Sequence, residues 1–310
     1  MEMAFKKIQS TTVKDLLKVF TGNVIAQGIG FLLTILISRQ LGPMQYGDFS
    51  LLLALYLFFV QIADFGISTS YVNYATSYKN DPEKSRDLFN TILVSRIALA
   101  LFVSIALTVF AEEISLYAFE NLNYKTILTS LGWSISFAST FSLITFYYQA
   151  KQDFKLFSIL SILNNLVKFA GVWALIFLLK TPETDLFLLI YGYSFGVIVC
   201  GMMVFKWKSL KTIYSAKFNW PYLKEIYQLG FWVFLSSLSV IIIMRVDALM
   251  LKKLCLDQNQ LGYYSVAMNL AMILSMISGS LTATLLPKVN VYLKDNSLSS
   301  YVKKVLGFTK

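Results

Sequence analysis

Five ionisable side chains lie inside long apolar stretches of this sequence: Asp64, Arg96, Lys168, Arg245 and Asp247. A charge in such surroundings is costly, so it either pairs within the protein or faces a polar cavity. Three of the five are basic, which suits an anionic ligand better than a cationic one. Lys168 has Asn164 one helical turn before it, so the two make one polar stripe. Asp64 and Arg96 fall at similar depths in neighbouring stretches. They fit an internal ion pair as well as a ligand contact. Arg245 and Asp247 are two residues apart and point to different helix faces, so they are poor partners for each other. Arg245 reads either as a guide for an anionic group or as a side chain snorkelling to the interface. Asp64 and Asp247 are also candidates for proton or sodium coupling. Asn23 and Gln27, spaced i, i+4, read as polar lining of a cavity or as helix packing. None of this is catalytic machinery. With no His in the chain, imidazole triads and His-ligated metals are excluded. Cys200 and Cys255 read as buried small hydrophobes, and no cofactor is expected.

The elements that carry these residues follow from composition. Of 310 residues, 56% are hydrophobic and only 14% charged, with a mean hydropathy of +0.62. Soluble domains carry about 25% charged residues. Too little polar surface is left to cover one soluble core, so the chain reads as an all-α membrane protein. Eight apolar runs are each long enough to span roughly 30 Å of hydrocarbon as a helix. They are Val19–Ser38, Phe49–Val72, Leu88–Phe110, Thr126–Tyr148, Leu156–Leu179, Leu186–Phe205, Ile226–Leu251 and Tyr263–Leu286. Ser10–Phe20 reads as a capped amphipathic start, with Thr12 and Asp15 at capping-box spacing. Gly192 and Gly196 have the spacing of close helix packing. Trp207, Trp220, Tyr147 and Tyr148 read as an interfacial aromatic belt.

Alternate connections then fall on opposite sides of the membrane, and 19 of the 27 basic residues fall on one side. The positive-inside rule makes that side cytoplasmic and puts both termini there. The excess charge thus reports topology before it reports any partner, and nothing suggests nucleic acid.

The chain also contains a repeat. Gly47 aligns with Gly262 and Ser50 with Ser265 at an offset of 215, each pair opening a span after a short hairpin. Six spans then form one repeat. Residues 1–215 are expected to be a six-helix lobe, and residues 216–310 the first two helices of a second, repeated lobe. On this reading the chain is a fragment of a transporter of twelve or more helices.

The hairpin R-x-L-G-P-x-x-Y-G from Arg39 to Gly47, the stretch IADFGISTSYVNYAT (Ile62–Thr76), and Arg245–Asp247 followed by GYYSVA (Gly262–Ala267) resemble the bacterial polysaccharide flippase family. That family belongs to the multidrug/oligosaccharidyl-lipid/polysaccharide transporter superfamily. The resemblance implies translocation of an undecaprenyl-pyrophosphate-linked oligosaccharide across the bacterial inner membrane, by alternating access and without covalent chemistry. Such a substrate would supply O-antigen or capsule synthesis, alongside a polysaccharide polymerase and chain-length machinery, with membrane lipids as the other partner. Lys168, Arg96 and Arg245 would then form a cationic cavity for the pyrophosphate. The alternatives are a drug or cation antiporter of the same superfamily, a membrane glycosyltransferase or polymerase, and an inactive truncated transporter. An acidic cavity would mark the antiporter, and a sizeable external loop the enzyme.

Overall fold

The apolar runs fold as helices because in hydrocarbon every backbone N–H and C=O must be satisfied within its own segment. The computed structural model describes residues 2–78, 81–179, 183–205, 219–255, 257, 259–271 and 282, with backbone alone for 2–16, 77, 179 and 202–205. The helices are α1 (Glu2–Asp64), α2 (Ile67–Ala75), α3 (Pro82–Val109), α4 (Ala111–Phe119), α5 (Lys125–Ala150), α6 (Phe154–Ala174), α7 (Thr184–Phe205), α8 (Trp220–Leu254) and α9 (Asn259–Ala271). No strand occurs among the described residues. Among the described residues six helical stretches are long and apolar enough to cross a membrane: Leu17–Asp64, Pro82–Val109, Leu122–Ala150, Phe154–Leu178, Thr184–Gly201 and Trp220–Leu254.

The first of these has 48 residues, about 72 Å at 1.5 Å per residue and more than twice one crossing. It is broken at Gly42 (φ 70°, ψ 174°), which precedes Pro43. Proline removes a helical hydrogen bond, and its ring disfavours the helical conformation in the residue before it. The expected first and second runs therefore lie on either side of this break. The hairpin between them is helical apart from the Gly42 break. The helix also runs through Ser10–Phe20 from Glu2, so no helix starts at the Thr12 box. The eighth run is described only as far as Ala271; Lys206–Phe218, with Trp207, and most of the chain beyond Ala271 lie outside the described residues.

Caps fix several helix starts. Asp81 accepts from the Lys84 amide at 3.1 Å ahead of Pro82, and Asp153 accepts from the Leu156 amide at 3.1 Å. The main packed core joins the second half of α1 (Phe49, Leu52, Tyr56) to α3, α5 and α7 (Leu107, Leu131, Phe187). A second core joins α2, α3 and α5 to Ile226 of α8. Gly192 packs on Ser134 and Gly196 on Phe137, so the small-residue spacing does bring α7 close to α5. Phe102 and Ile243 are each 70% exposed, as expected of helix faces whose solvent is lipid. Trp220 is exposed too. Cys200 is exposed on α7 and Cys255 half-buried, so neither is the buried hydrophobe expected. An apolar helix in lipid has two apolar surroundings, and composition does not say which one a residue faces.

Chain breaks and close crossings shape the bundle. Between α1 and α2 both Phe65 (φ 47°) and Gly66 (φ 68°) are left-handed. A Cβ on Gly66 would come 2.3 Å from the Gly230 carbonyl oxygen of α8. Gly66→Ala should therefore destabilise the protein by about 2 kcal/mol, through backbone strain and overpacking together. A thermal melt of the detergent-purified protein checks this. Gly28→Ala, where a Cβ would meet nothing within 4 Å, should leave the melting temperature unchanged or raise it.

Candidate functional site: an unpaired lysine and two ion pairs

Lys168 lies 14 residues into α6, about 21 Å along the helix. Gly171, three residues on, packs on Ile190 and brings α6 close to α7. Across that seam the Lys168 Nζ sits 4.9 Å from the centre of the Tyr191 ring and 4.8 Å from that of Phe195. These two aromatics share one face of α7 at i, i+4. Asn164 is buried one turn earlier, and its Oδ1 accepts from Ser194 Oγ at 3.2 Å. Among the described residues no carboxylate pairs with Lys168. A cation–π contact contributes at most about 2 kcal/mol, whereas removing an ammonium from water costs several. The two rings hold the ammonium in place without neutralising it.

An aromatic run leads away from this lysine. Tyr191 meets Phe49 edge-on at 5.6 Å, and Phe49 stacks on Tyr46 at 5.7 Å. The Tyr46 hydroxyl accepts from Asn269 Nδ2 of α9 at 3.0 Å. Arg245 of α8 is half-buried. The rings between Lys168 and Tyr46 are packed in the core, with Tyr46 2% and Phe49 3% exposed. Asp247 does not pair with Arg245; it accepts from the Tyr264 hydroxyl at 2.9 Å. On α1, Asn23 is half-buried and Gln27 exposed. Sequence reasoning missed Tyr46, Phe49, Tyr191, Phe195 and Asn269. The i, i+3 and i, i+4 spacing of the aromatics was visible, but in an apolar helix such spacing marks packing far more often than a site.

Arg96 has a different setting. It is 1% exposed, and its contacts are all internal. Its Nη2 lies 2.8 Å from Asp64 Oδ1 as a charge contact whose angle makes no hydrogen bond. Its Nη1 donates to Ser68 Oγ, which donates in turn to Asp64. Its Nε donates to Ser139 Oγ at 3.2 Å. The pair fastens the left-handed break after Asp64 to α3 and α5. Of the two roles read for Arg96, the structure contains the ion pair, with the side chain 1% exposed. Arg96→Met should cost about 3–5 kcal/mol by stranding Asp64, while Asp64→Leu combined with Arg96→Met should recover most of that. Chemical unfolding of the three variants measures both effects.

A second buried pair was not anticipated. Lys252 Nζ contacts Asp48 Oδ1 at 2.6 Å, with the side chains 11% and 10% exposed. Tyr124 donates to Asp48 Oδ2 at 2.8 Å. Lys252 falls one residue beyond the seventh apolar run, Ile226–Leu251. It lies in the last turn of α8, tied to the second half of α1. Next to this pair, a Cβ on Gly262 would fall 2.0 Å from the Pro43 carbonyl oxygen, and one on Gly47 would fall 3.2 Å from the Gly262 nitrogen. The two glycines aligned by the repeat therefore cross each other. Among the described residues no cluster of three or more acidic or Cys side chains could hold a metal.

The family described as "Polysaccharide biosynthesis protein" matches residues 12–289. A comparison with curated protein sequences gives no significant match. Among solved structures, the Vibrio cholerae MATE transporter VcmN, in a point-mutant form, superposes with a TM-score of 0.73 at 14% identity, over 99% of this chain and 71% of that one. The eukaryotic MATE transporter AtDTX14 gives 0.72 at 16% identity, over 97% of this chain and 70% of that one. A multidrug resistance MATE family transporter of the MOP superfamily, in an outward-facing conformation, gives 0.68 at 15% identity, over 96% and 69%.

Proposed function

The chain belongs to the polysaccharide biosynthesis protein family, and on that premise we propose that it moves a polyprenyl-pyrophosphate-linked oligosaccharide across a bacterial inner membrane. It is a multi-pass membrane protein with the fold of MATE transporters, and no covalent step is assigned to it. The observation that carries the substrate reading is Lys168: an ammonium within a membrane helix, held by two aromatic rings and paired with no carboxylate among the described residues. A pyrophosphate leaving water needs such a charge, and charge-assisted hydrogen bonds are the strong ones. Arg245 is the second cation for the headgroup. Gln27, exposed on α1, is a polar group on offer to hydroxyls. Arg96 and Asp64 are assigned to architecture, and Asp247 to its contact with Tyr264.

Eight spans in two repeated lobes, dividing near residues 215–216, complete the reading. The repeat is supported by the Gly47–Gly262 crossing, because equivalent residues meet where a pseudo-two-fold axis passes between lobes. Cytoplasmic termini are supported by the 19 of 27 basic residues on one side. Alternating access would part α8 and α9 from α1, α2 and α3.

The second reading is export of cationic drugs, favoured by a shared fold with a multidrug resistance transporter. The charges weigh against it. Among the intramembrane charges, Asp64 is used by Arg96 and Asp247 by Tyr264, while Lys168 has no counter-charge among the described residues.

A strain lacking the full gene should lose surface polysaccharide and accumulate lipid-linked repeat units in the inner leaflet. Complementation with Lys168→Ala should restore transport at roughly a tenth of the wild-type rate or less, as expected from losing a charged hydrogen bond of about 1.5–3 kcal/mol. Lys168→Arg should restore most of it. Intact surface glycan together with sensitivity to cationic dyes would instead establish the drug reading.

A further inference from the structure

At the end of the bundle where α1 breaks, a cavity of about 310 Å³ opens beside the Asp48–Lys252 pair. Three segments build it. Gln45 comes from the first turn after the Gly42 break, Asn121, Asn123 and Tyr124 from the link between α4 and α5, and Glu183 and Asp185 from the start of α7. The 3-10 turn Leu122–Tyr124 holds its part in place: Asn121 Oδ1 accepts from the Asn123 amide at 3.0 Å, and Tyr124 packs on Phe119 with ring centres 4.4 Å apart.

Among the described residues the lining is polar throughout and contains no basic residue. That excludes a phosphate or pyrophosphate, which two uncompensated carboxylates would repel. A divalent cation fits poorly too, because among the described residues no three acidic or Cys side chains converge. An organic cation, which the two carboxylates would answer, and a neutral molecule rich in hydroxyls both fit. The amides of Gln45, Asn121 and Asn123 both accept and donate, which suits hydroxyls, and the oligosaccharide reading selects the neutral sugar. The volume lies at the lower end for small-molecule pockets and is enough for one or two sugar rings. We propose that this cavity is a glycan subsite, separate from the Lys168 site and binding sugar without the pyrophosphate headgroup.

The proposal rests on the oligosaccharide reading and adds a place to it. The charge bias puts this end of the bundle on the outer face, where a translocated glycan emerges. Tyr124 both lines the cavity and donates to Asp48, the carboxylate that holds Lys252 of α8. An occupant that engages the Tyr124 hydroxyl therefore touches the contact joining α8 to α1. The sugar end of the substrate would be received where that contact has to open.

The test is saturation-transfer NMR on the full chain in lipid nanodiscs, with methyl glycosides of neutral hexoses and N-acetylhexosamines as probes. At least one probe should receive saturation. Combining Asn123→Ala with Glu183→Ala should cut the transfer roughly fivefold or more, from the loss of two hydrogen bonds. Both residues are exposed, so the variant should keep the wild-type melting temperature, and Lys168→Ala should keep the sugar signal. Loss of signal in Lys168→Ala with retention in the double variant would place the sugar at the central site and overturn the subsite, while leaving the transport reading intact. Absence of transfer for every probe would overturn it as well. So would a calcium-induced rise in melting temperature that Glu183→Gln abolishes and that sugars do not reproduce.

Discussion

A charge or polar group carried into hydrocarbon has to find its partner inside the protein, and this one constraint organises the structure. The backbone meets it by folding as helices. The side chains meet it in three ways. Arg96 has Asp64 and two serine hydroxyls around it. Lys252 has Asp48, itself held by Tyr124. Lys168 has, among the described residues, the faces of Tyr191 and Phe195 and no counter-charge. The first two arrangements close on themselves. The third does not, and the proposed function rests on that difference.

The two closed pairs also mark where α8 meets α1 and α3. Asp48–Lys252 ties its last turn to α1. The Arg96 cluster lies beside the Gly66–Gly230 crossing near its other end, where Ser95 and the Tyr227 hydroxyl share a hydrogen bond of 2.8 Å. Lipid chains are as apolar as Leu, so burying apolar surface drives helix association weakly in a membrane. Close backbone approach and polar contacts do more of that work. Glycines at the crossings, with an ion pair or hydroxyl pair nearby, fit that balance.

Helix content, the approximate spans and the break between the first two runs were legible in the sequence, because a helix is the only local solution for twenty apolar residues in lipid and Gly-Pro is a strong interruption. The Asp64–Arg96 partnership was legible as one of two options, since antiparallel neighbours fix the depth of each residue from its span. The aromatic run from Lys168 to Tyr46 was not legible. It depends on which faces of α6, α7 and α1 turn toward one another, and in helices apolar on every side no periodicity records that choice. Cys200 was misread for the same reason.

The sequence by itself therefore determined a multi-pass helical protein, an expected orientation and the family. Those properties depend on composition and on distance along one helix. Only the tertiary structure decided which charge is satisfied and which is left open, because that depends on contacts across 204 residues for Asp48 and Lys252, and across 223 for Tyr46 and Asn269. A partner at such separation is fixed by helix packing, and no local pattern in the chain specifies it.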